Sequence, residues 1–396
     1  MIVRFLISNA YASGGTVRTT LNMASELANR HSVEVVSVFH RREHPLYPLD
    51  SRVRLRPLAT QLQPTGGGFA GDARRRAQEW ASTQPSRVIH AQDSRHALFN
   101  GLDDVHLIRF LRSVRDGVLI ATRPGLNLAM ARYARRSVVR IAQEHLHLDR
   151  HRPRLRAAIQ RQYPKLDAVT ALTEDDAGEY RRLLEDKTRV VCMPNAVPDL
   201  GPGRAQLDNK VVIAAGRLTG QKGFDRLIPA FAKVATKHPE WQLRIFGQGK
   251  NQRQLQRQIK RLGVGGNVTL MGYTEQLPAE MADSSIYAMS SRFEGFPMVM
   301  LEAMSRGLPV VTFDFPTGAK DLVDDGVHGV LVPAGDVKGL AAGIMQLIED
   351  DTRRKAFGAA ALAKAGQYET PALGRRWDAL LDELVAAKAA ARRGSR

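Results

Sequence analysis

The sequence predicts an α/β protein built from two doubly wound domains. Short apolar runs rich in β-branched residues alternate with helical patterns, beginning with a strand at 2–8, a helix at 16–30 and a strand at 33–39. This order predicts parallel strands joined by right-handed crossovers. At 396 residues the chain is about twice the size of a common domain, so two hydrophobic cores are expected.

The domain boundaries follow from the point where this alternation pauses. Residues 198–209 are rich in Gly, Pro and polar residues, and the pattern restarts at Lys210. We expect domains at 1–203 and 204–370, followed at 371–396 by a C-terminal helix and tail that pack back on the N-terminal domain. Further strands are predicted at 87–90, 117–121, 138–142, 168–172, 190–193, 211–214, 242–246, 268–270, 286–289, 309–313 and 329–332.

The composition is typical of a globular protein, with 43% hydrophobic and 25% charged residues. The apolar run at the start contains Arg4 and lacks a cleavage pattern, so we interpret it as a strand and not as a signal peptide. The single cysteine, Cys192, cannot form an internal disulfide, and no Cys/His cluster has zinc-ligand spacing. These features favour a cytoplasmic protein, for which peripheral attachment to the inner membrane face stays open.

The net charge of +18 is unevenly distributed along the chain. Between residues 123 and 165, eleven basic residues stand against two acidic ones. Arg132, Arg136 and Arg140 fall four apart on a predicted helix, so we expect them to share one face. Two interpretations stay open, a solvated face or a surface for anionic acceptors or lipid head groups. Only Tyr133 and Tyr163 lie nearby, so the cations are not interleaved with aromatic residues, and no reader motif accompanies them. No nucleic-acid partner is therefore expected.

Gly14 and Gly15 join the first predicted strand to the first helix. Two glycines let the backbone approach a ligand, and the start of a helix favours anions. The loop lacks the G-x-G-x-x-G pattern of dinucleotide-binding proteins, which disfavours a nicotinamide-dependent oxidoreductase. A tight turn that serves packing alone is the other interpretation.

Two cations follow the first strand of the second half. Gly216 and Arg217 come directly after this strand, and Lys222 comes just before the next helix. In a doubly wound sheet the carboxyl ends of the strands border the ligand crevice, so both cations are placed to hold a diphosphate. Exposed surface cations without a ligand are the alternative.

Glu294 and Glu302 form an E-x7-E pair, with Pro297 predicted in the first turn of a helix. Eight residues span about two helical turns, so the second acid is expected to follow the first along one flank. The amides of Gly295 to Met298 can donate to an anion, and the carboxylates can accept hydrogen bonds from sugar hydroxyls. Alone, such a pair is also typical of a solvated helix face.

Together these residues resemble the retaining glycosyltransferases of the GT-B architecture, the large family with the E-x7-E motif that includes bacterial mannosyl-, glucosyl- and N-acetylglucosaminyltransferases. The resemblance is close over most of residues 210–350 and loose in the first half, and it implies two Rossmann-like domains facing a central cleft. The matching segments occur in order: Gly14-Gly15 with Arg18, Pro194-Asn195, Gly216-Arg217-Leu218 with Lys222-Gly223, Phe246-Gly247-Gln248-Gly249, Glu294-Gly295-Phe296-Pro297 to Glu302-Ala303-Met304, Gly307-Leu308-Pro309-Val310-Val311, and Asp325-Gly326 to Gly329 with Leu331-Val332-Pro333.

The resemblance implies a role for each matched residue. Arg217 and Lys222 would bind the donor diphosphate and neutralise charge on the leaving phosphate. Glu302 would accept the ribose hydroxyls, and Glu294 would lie beside the donor sugar. Neither a metal ion nor a cofactor is implied, and UDP is the preferred nucleotide of the donor. The other implied donor-binding residues are Gly14, Gly15, Gly216, Gly272, Tyr273, Gly295, Phe296, Pro297 and Met298.

His145 is the candidate for the family histidine that contacts the donor sugar near the reacting carbon. The family usually has Thr-His-Gly there, whereas this chain reads Gln143-Glu144-His145-Leu146-His147. His147 therefore stays an alternative, and a structural role stays open for either residue.

The expected activity is metal-independent, retaining transfer of a hexose or N-acetylhexosamine from a nucleotide-diphosphate sugar to a hydroxyl acceptor. The acceptor is expected to be anionic or envelope-linked: a teichoic-acid-like polymer, a lipid or a glycan. Positioning of the reacting groups, not a covalent nucleophile, would do most of the catalytic work. A soluble small molecule or natural product as acceptor is one alternative, and a catalytically inactive nucleotide-sugar-binding scaffold is another. The oligomeric state is left open.

Overall fold

The computed structural model describes residues 1–40, 42–58, 69–316 and 318–394, apart from the side chains of residues 69–75. The chain divides into two compact units. Unit 1 contains Met1–Ala196 and Leu373–Arg396, and unit 2 contains Val197–Ala372. Each unit holds a parallel sheet whose strands alternate with helices, so the predicted α/β fold class is confirmed.

Unit 1 contains a seven-stranded parallel sheet. Its strands are β1 (Ile2–Ile7), β2 (Ser32–Ser37), β3 (Arg54–Pro57), β4 (Val118–Ala121), β5 (Val139–Gln143), β6 (Ala168–Ala171) and β7 (Arg189–Cys192). They are arranged in the order β3-β2-β1-β4-β5-β6-β7. Every residue of β4, β5 and β6 is buried, as expected for strands covered on both faces.

The helices between these strands begin at recognisable sequence signals. They are α1 (Gly15–Leu27), α2 (Phe69–Thr83), α3 (Gly101–Ser113), α4 (Pro124–Tyr133), α5 (Pro153–Gln162) and α6 (Glu174–Leu184). The Asn100 side chain accepts hydrogen bonds from the amides of Leu102 and Asp103 and so caps α3. Proline opens both α4 and α5, where its missing N–H costs no hydrogen bond.

Unit 2 contains a six-stranded parallel sheet. Its strands are β8 (Val211–Ala215), β9 (Gln242–Phe246), β10 (Val268–Gly272), β11 (Ile286–Met289), β12 (Val310–Asp314) and β13 (Gly329–Pro333), in the order β10-β9-β8-β11-β12-β13. Its helices are α7 (Phe224–Lys237), α8 (Gln252–Leu262), α9 (Leu277–Ala282), α10 (Met298–Met304), α11 (Ala319–Leu322), α12 (Val337–Glu349) and α13 (Asp351–Gly366).

The last helix, α14 (Thr370–Gly394), runs from unit 2 into unit 1. It buries Trp377 and Leu381 at 1% and 0% exposure. Its Asp378 carboxylate accepts from His31 Nε2 (2.9 Å), and Lys388 Nζ lies 2.6 Å from the Asp167 carboxylate. The expected packing of the C-terminal helix on the N-terminal domain is therefore confirmed.

The strand order of each sheet reverses at one position. In unit 1 the chain leaves β1 in one direction for β2 and β3 and returns on the other side at β4. In unit 2 the same change occurs between β8 and β11. The carboxyl ends of the strands that flank such a switch point border the ligand crevice of doubly wound sheets, so these are the places to look for a site.

The predicted cationic helix face of Arg132, Arg136 and Arg140 is wrong. The helix ends at Tyr133, and Ala134 already has an extended backbone. Arg136 lies in the following turn, and Arg140 belongs to β5. Arg140 is only 6% exposed, and its guanidinium donates to the Lys165 carbonyl. The helical spacing failed because α4 ends at Tyr133 and strand β5 begins at Val139, so Arg136 and Arg140 both lie outside the helix.

A predicted strand at 87–90 is also absent, although this segment is described. The amides of Arg87 and Val88 donate to the Asp104 carboxylate at 2.7 and 3.2 Å, so a side chain takes the hydrogen bonds that a neighbouring strand would accept. The edge strand β3 was not predicted, because Arg-Leu-Arg-Pro lacks the apolar residues on which strand prediction depends.

Replacing Asp104 by alanine is expected to destabilise unit 1 by about 3 kcal/mol, because the buried Ser86 hydroxyl and two part-buried amides lose their acceptor. The free energy of unfolding from urea titration measures this change. Asp382→Ala, at an exposed position of α14, is the matched control and should stay within about 0.5 kcal/mol of the unchanged protein. Equal effects of the two substitutions would contradict the assigned role of Asp104.

Candidate functional site

Lys222 and Glu294 form an ion pair at the switch point of the unit 2 sheet. Lys222 ends a short 3-10 turn, Gly220–Lys222, after β8, and Glu294 lies in the loop after β11. The distance between Nζ and Oε1 is 2.7 Å, and 14% and 7% of the two side chains are exposed. Withdrawing two charges from water costs free energy that their attraction often does not recover. The pair is therefore better explained by a charged ligand than by stability.

Two glycines allow this pair to form. Gly216 has φ +152°, and a Cβ atom there would lie 3.0 Å from Cε of Lys222, so only glycine leaves room for the lysine stem. Gly223 has φ +66°, and a Cβ atom there would lie 2.0 Å from the Ser290 carbonyl oxygen. Both positions exclude a side chain. The loop after β8 can therefore lie directly against the end of β11.

Polar neighbours hold Glu294 from a second direction. The Ser291 hydroxyl donates to its Oε1 atom at 2.6 Å, and Gln221 Nε2 donates to its Oε2 atom at 3.4 Å. Gln221 also donates to the Phe293 carbonyl at 3.1 Å. The carboxylate is thus fixed in orientation before any ligand binds, which is the condition for electrostatic preorganisation.

Arg292 and Asp225 fix the loop that carries Lys222. The guanidinium pairs with both carboxylate oxygens of Asp225 at 2.9 and 2.7 Å, and it also donates to the Gly220 carbonyl. Hydrogen bonding to Arg292 lowers the pKa of Asp225, so the pair stays charged. Neither residue was predicted. Their sequence signal is an arginine three residues after strand β11 and an acid two residues after Gly223. This signal has no meaning until the two loops are adjacent.

The charges of Glu302 and Glu294 both act on the hydroxyl of Tyr287. Burial, followed by the charges of Glu294 and Glu302, raises the pKa of Tyr287 on β11 well above its usual value. Glu302 is 7% exposed. The expected two-turn helical flank that would relate the acids is wrong, because α10 begins only at Met298. Glu294 lies in the loop after β11, and Glu302 lies within α10.

The segment from Gly295 to Met298 differs from the expected row of ligand-facing amides. The Met298 amide donates to the Phe296 carbonyl at 2.9 Å, so it already has an acceptor. Phe296 is 8% exposed and packs against Tyr368 at a ring distance of 6.1 Å. Pro297 precedes α10 as its cap residue and does not lie within its first turn.

The loops after β8, β9 and β10 are held together by main-chain hydrogen bonds. The Leu218 amide donates to the Gln248 carbonyl at 2.9 Å, and the Gly247 amide donates to the Gly272 carbonyl at 2.7 Å. Arg217 is exposed, and Tyr273 is 68% exposed. The predicted donor-binding residues Gly216, Gly272 and Tyr273 therefore share the carboxyl edge of one sheet.

A cavity of about 570 Å³ opens at the loop after β9 and the first turns of α8. It is lined by Gly249, Lys250, Gln252, Arg253 and Gln256. Its two cations match the charge of a phosphate. The Gly247-Gln248-Gly249 segment was part of the family resemblance, but the basic side chains that follow it were not predicted.

The first glycine loop of unit 1 is open to solvent. Gly14 and Gly15 are exposed, and no atom lies within 4 Å of a Cβ placed on either. The Gly14 amide donates to the Tyr47 hydroxyl at 3.1 Å. Because α1 begins at Gly15, a ligand at this loop would meet the start of a 13-residue helix.

His145 and His147 have different surroundings in the loop after β5. Both ring nitrogens of His147 have partners: Nδ1 accepts from the Asp149 amide at 3.3 Å, and Nε2 lies 3.6 Å from the Asp176 carboxylate. The Nε2 atom of His145 is buried and lacks a hydrogen-bond partner among the described residues. Burial and the nearby Arg123 lower the pKa of His145 to about 4, so its imidazole is neutral at neutral pH.

A buried polar network supports this loop. The Glu144 carboxylate accepts hydrogen bonds from the Tyr163 hydroxyl and from Asn127 Nδ2, the latter at 2.8 Å. Burial opposes a charge on His151, but the Glu144 carboxylate 3.6 Å away raises the pKa of this histidine. The network was not predicted. Glu144 stands where the resembled family has threonine, and this departure was the available signal.

Arg123 lies beside His145, at the end of β4. It forms an ion pair with Asp93, whose carboxylate also accepts from the Gly125 amide at 2.9 Å and from the Arg95 amide at 2.8 Å. Asp93 thus anchors the start of α4 together with Arg123. This pair also escaped prediction, because its two residues are thirty positions apart.

The two units match two glycosyltransferase family profiles. Residues 13–199 match the family described as Glycosyltransferase Family 4, and residues 201–364 match Glycosyl transferases group 1. The chain belongs to the GT-B glycosyltransferases. This membership confirms the enzyme family and the fold implied by the ordered motifs of the sequence.

The relatives differ in size and in what their names describe. The chain is 34% identical, over 97% of its length, to the exopolysaccharide phosphotransferase of Streptomyces coelicolor, of which it spans 41%. It is 29% identical, over 56% of its length, to the poly(glycerol-phosphate) alpha-glucosyltransferase of Bacillus subtilis, of which it spans 33%. The chain therefore spans less than half the length of these curated relatives.

Among solved structures, a mutant of TarM from S. aureus in complex with fondaparinux, alpha-GlcNAc-glycerol and UDP has the same fold. The TM-score is 0.74 at 16% sequence identity, with 96% of this chain and 100% of that chain covered. Within the described part of the present chain, every helix is too short or too polar to cross a membrane.

The lowered pKa of His145 predicts a pH-dependent contribution to stability. Between about pH 6.5 and pH 4 the unfolded chain binds a proton that the folded chain excludes, so this residue makes unfolding easier as pH falls. Replacing His145 by glutamine should therefore raise stability relative to the unchanged protein at pH 4.5, by at most about 1.4 kcal/mol per pH unit below 6.5. Urea titrations at pH 7.5 and pH 4.5 measure the difference. A difference independent of pH would contradict the neutral imidazole.

Proposed function

We propose that the chain is a retaining, metal-independent glycosyltransferase that moves a hexose or N-acetylhexosamine from a nucleotide-diphosphate sugar, with UDP as the preferred nucleotide. The observation that carries the proposal is the buried ion pair of Lys222 and Glu294 at the switch point, with the buried Glu302 on the helix that follows, α10. Such a donor carries a negatively charged diphosphate and several hydroxyl groups. A cation can bind the diphosphate, and two carboxylates can accept hydrogen bonds from the hydroxyl groups.

In this mechanism Lys222 and Arg217 act on the leaving group. The bond between the sugar C1 and the diphosphate oxygen breaks as the acceptor hydroxyl forms a new bond to C1 from the same face. The hydroxyl proton passes to the departing phosphate oxygen. Positive charge near that phosphate stabilises the developing negative charge and replaces the role that a metal ion has in other transferases.

The assignments of Glu294, Glu302 and His145 follow from hydrogen-bonding capacity. Glu302 accepts the ribose hydroxyls, and Glu294 accepts a hydroxyl of the transferred sugar, which also leaves Lys222 free to turn toward phosphate. His145 is assigned to the donor sugar because its buried Nε2 has no partner among the described residues, whereas both nitrogens of His147 are engaged. A neutral imidazole can accept or donate there without adding charge.

The proposed acceptor is a phosphate-containing or envelope-linked hydroxyl compound. Its support is the naming of relatives: one glucosylates poly(glycerol-phosphate), and the TarM complex contains alpha-GlcNAc-glycerol.

Release of nucleotide from a panel of UDP-, GDP- and ADP-sugars, without acceptor, tests the reaction. We expect slow hydrolysis of one donor class, unchanged by EDTA, and a loss of about 100-fold or more in Lys222→Ala, because the leaving phosphate loses its cation. Lys233→Ala, exposed on α7, is the control and should keep full activity. Binding of a UDP-sugar without any turnover would instead favour an inactive scaffold.

Glu302→Gln is expected to weaken UDP binding by about 10-fold, because hydrogen bonds to a charged acceptor are stronger than those to an amide. Isothermal titration with UDP measures the dissociation constant. Glu275→Gln, at an exposed position after β10, should bind UDP as the unchanged protein does. Unaltered binding by Glu302→Gln would remove the ribose assignment while leaving that of Lys222 intact.

A further inference from the structure

A group of arginines lies at the amino edge of the unit 1 sheet, where the strands begin. Helices α3 and α4 end at this edge because connecting helices run opposite to the strands of a parallel sheet. All members of the group are exposed. We call this group the arginine edge: Arg112, Arg115, Arg132, Arg135, Arg136 and Arg392.

Direct contacts join the ends of the two helices within the arginine edge. Arg135 Nε donates to the Arg112 carbonyl at 2.9 Å. The guanidinium groups of Arg112 and Arg132 lie 5.9 and 5.2 Å from the centre of the Tyr133 ring. These distances are within the range of cation–π contacts. The arginines of α3 and α4 therefore belong to one patch.

The C-terminal helix extends the same patch. The Ser137 hydroxyl donates to the Arg115 carbonyl at 2.9 Å, and the guanidinium of Arg392 donates to the Ser137 carbonyl. Three elements that are distant in sequence thus place cations together. Of this group, the sequence placed Arg132 and Arg136 on a helix face that does not form.

The charge of the arginine edge is not neutralised by neighbouring acids. Among the described residues, no carboxylate lies within 4.0 Å of its six side chains. Asp116 is the nearest acid in sequence, and it lies 3.6 Å from Arg4. Arg112 and Arg132 lie in the last turns of α3 and α4, where the negative end of the helix dipole stabilises a cation. Arg115, Arg135 and Arg136 lie beyond the helices, so this explanation does not reach them.

We propose that the arginine edge docks on a lipid bilayer that contains anionic phospholipid. Cationic side chains on one face are attracted to the negative surface potential of such a membrane. Ile2, 37% exposed, starts β1 at the same edge and packs against Gly117, so an aliphatic side chain accompanies the cations. Arginine stems and an aliphatic group suit the boundary between head groups and acyl chains.

The position of the arginine edge favours a membrane over a soluble polyanion. Gly14, Arg123 and His145 follow the carboxyl ends of β1, β4 and β5, whereas the arginine edge lies at the opposite ends of these strands. A polymer bound at the amino edge would not present a hydroxyl at the carboxyl edge of unit 1. Attachment to a membrane needs only one free face, and it leaves the carboxyl edge accessible.

Co-sedimentation of the full chain with vesicles tests this proposal. One set contains phosphatidylcholine alone and the other contains added phosphatidylglycerol. We expect binding to the anionic vesicles only, weakened by salt as screening shortens the range of the attraction. The triple variant Arg115→Gln, Arg132→Gln, Arg136→Gln should lose about 100-fold in partitioning, from about fivefold per arginine.

The matched control is Arg257→Gln, Lys260→Gln, Arg261→Gln on the exposed face of α8 in unit 2, which removes the same net charge. This control should bind vesicles as the unchanged chain does, and thermal unfolding should show both variants folded. Equal losses in the two variants, or no preference for anionic vesicles, overturn the proposal. Binding of soluble polyphosphate without vesicle binding also overturns it, in favour of a polyanion. Because vesicle binding needs no turnover, its failure is distinguishable from failure of the proposed transfer reaction.

Discussion

The unit 2 site depends on keeping one lysine and one glutamate charged where little water reaches them. Lys222 and Glu294 are 2.7 Å apart and mostly buried, so each needs the other, or a ligand, to compensate its lost hydration. The surrounding sequence serves this requirement. Glycines admit the lysine stem and the close approach of two loops, while Ser291, Gln221 and the pair of Arg292 with Asp225 fix the geometry. A diphosphate would take over the neutralising role of Glu294.

Much of this arrangement is predictable from sequence because it follows from local patterns and from topology. The alternation of strands and helices predicts two parallel sheets, and parallel strands bring Arg217, Glu294 and Gly272 to one edge. What could not be predicted involves partners distant in sequence. Asp225 and Arg292, sixty-seven positions apart, become partners only when β8 and β11 are neighbours. The helical spacing of Arg132, Arg136 and Arg140 gave a wrong prediction, because Arg140 lies in strand β5 and tertiary strand pairing overrides the local pattern.

Unit 1 departs from the sequence of the resembled family in the loop after β5, which carries Glu144 and His145. A buried carboxylate, Glu144, stands beside the histidine loop. Its Oε1 atom accepts from Asn127 and Tyr163, which belong to other elements, whereas its Oε2 atom lies 3.6 Å from His151 Nε2 and has no hydrogen-bond partner among the described residues. Hydrogen bonds to a buried charge are strong, so those to Oε1 restrict the conformation of this loop. The loop that carries His145 is thus set by side chains from α4 and from the turn after α5, and it does not rely on the small residues that the family motif places there.

Unit 1 is assembled from two separate stretches of chain, since Leu373–Arg396 pack with Met1–Ala196. A fragment that stops at residue 196 would expose to water the apolar surface that Trp377 covers, and exposed apolar patches promote aggregation. Dissecting the protein for separate study therefore calls for excision of unit 2 as an internal insert, with a short linker rejoining Ala196 to Leu373. Truncation from the C-terminus would instead remove residues of unit 1, although most of unit 1 lies at the other end of the sequence.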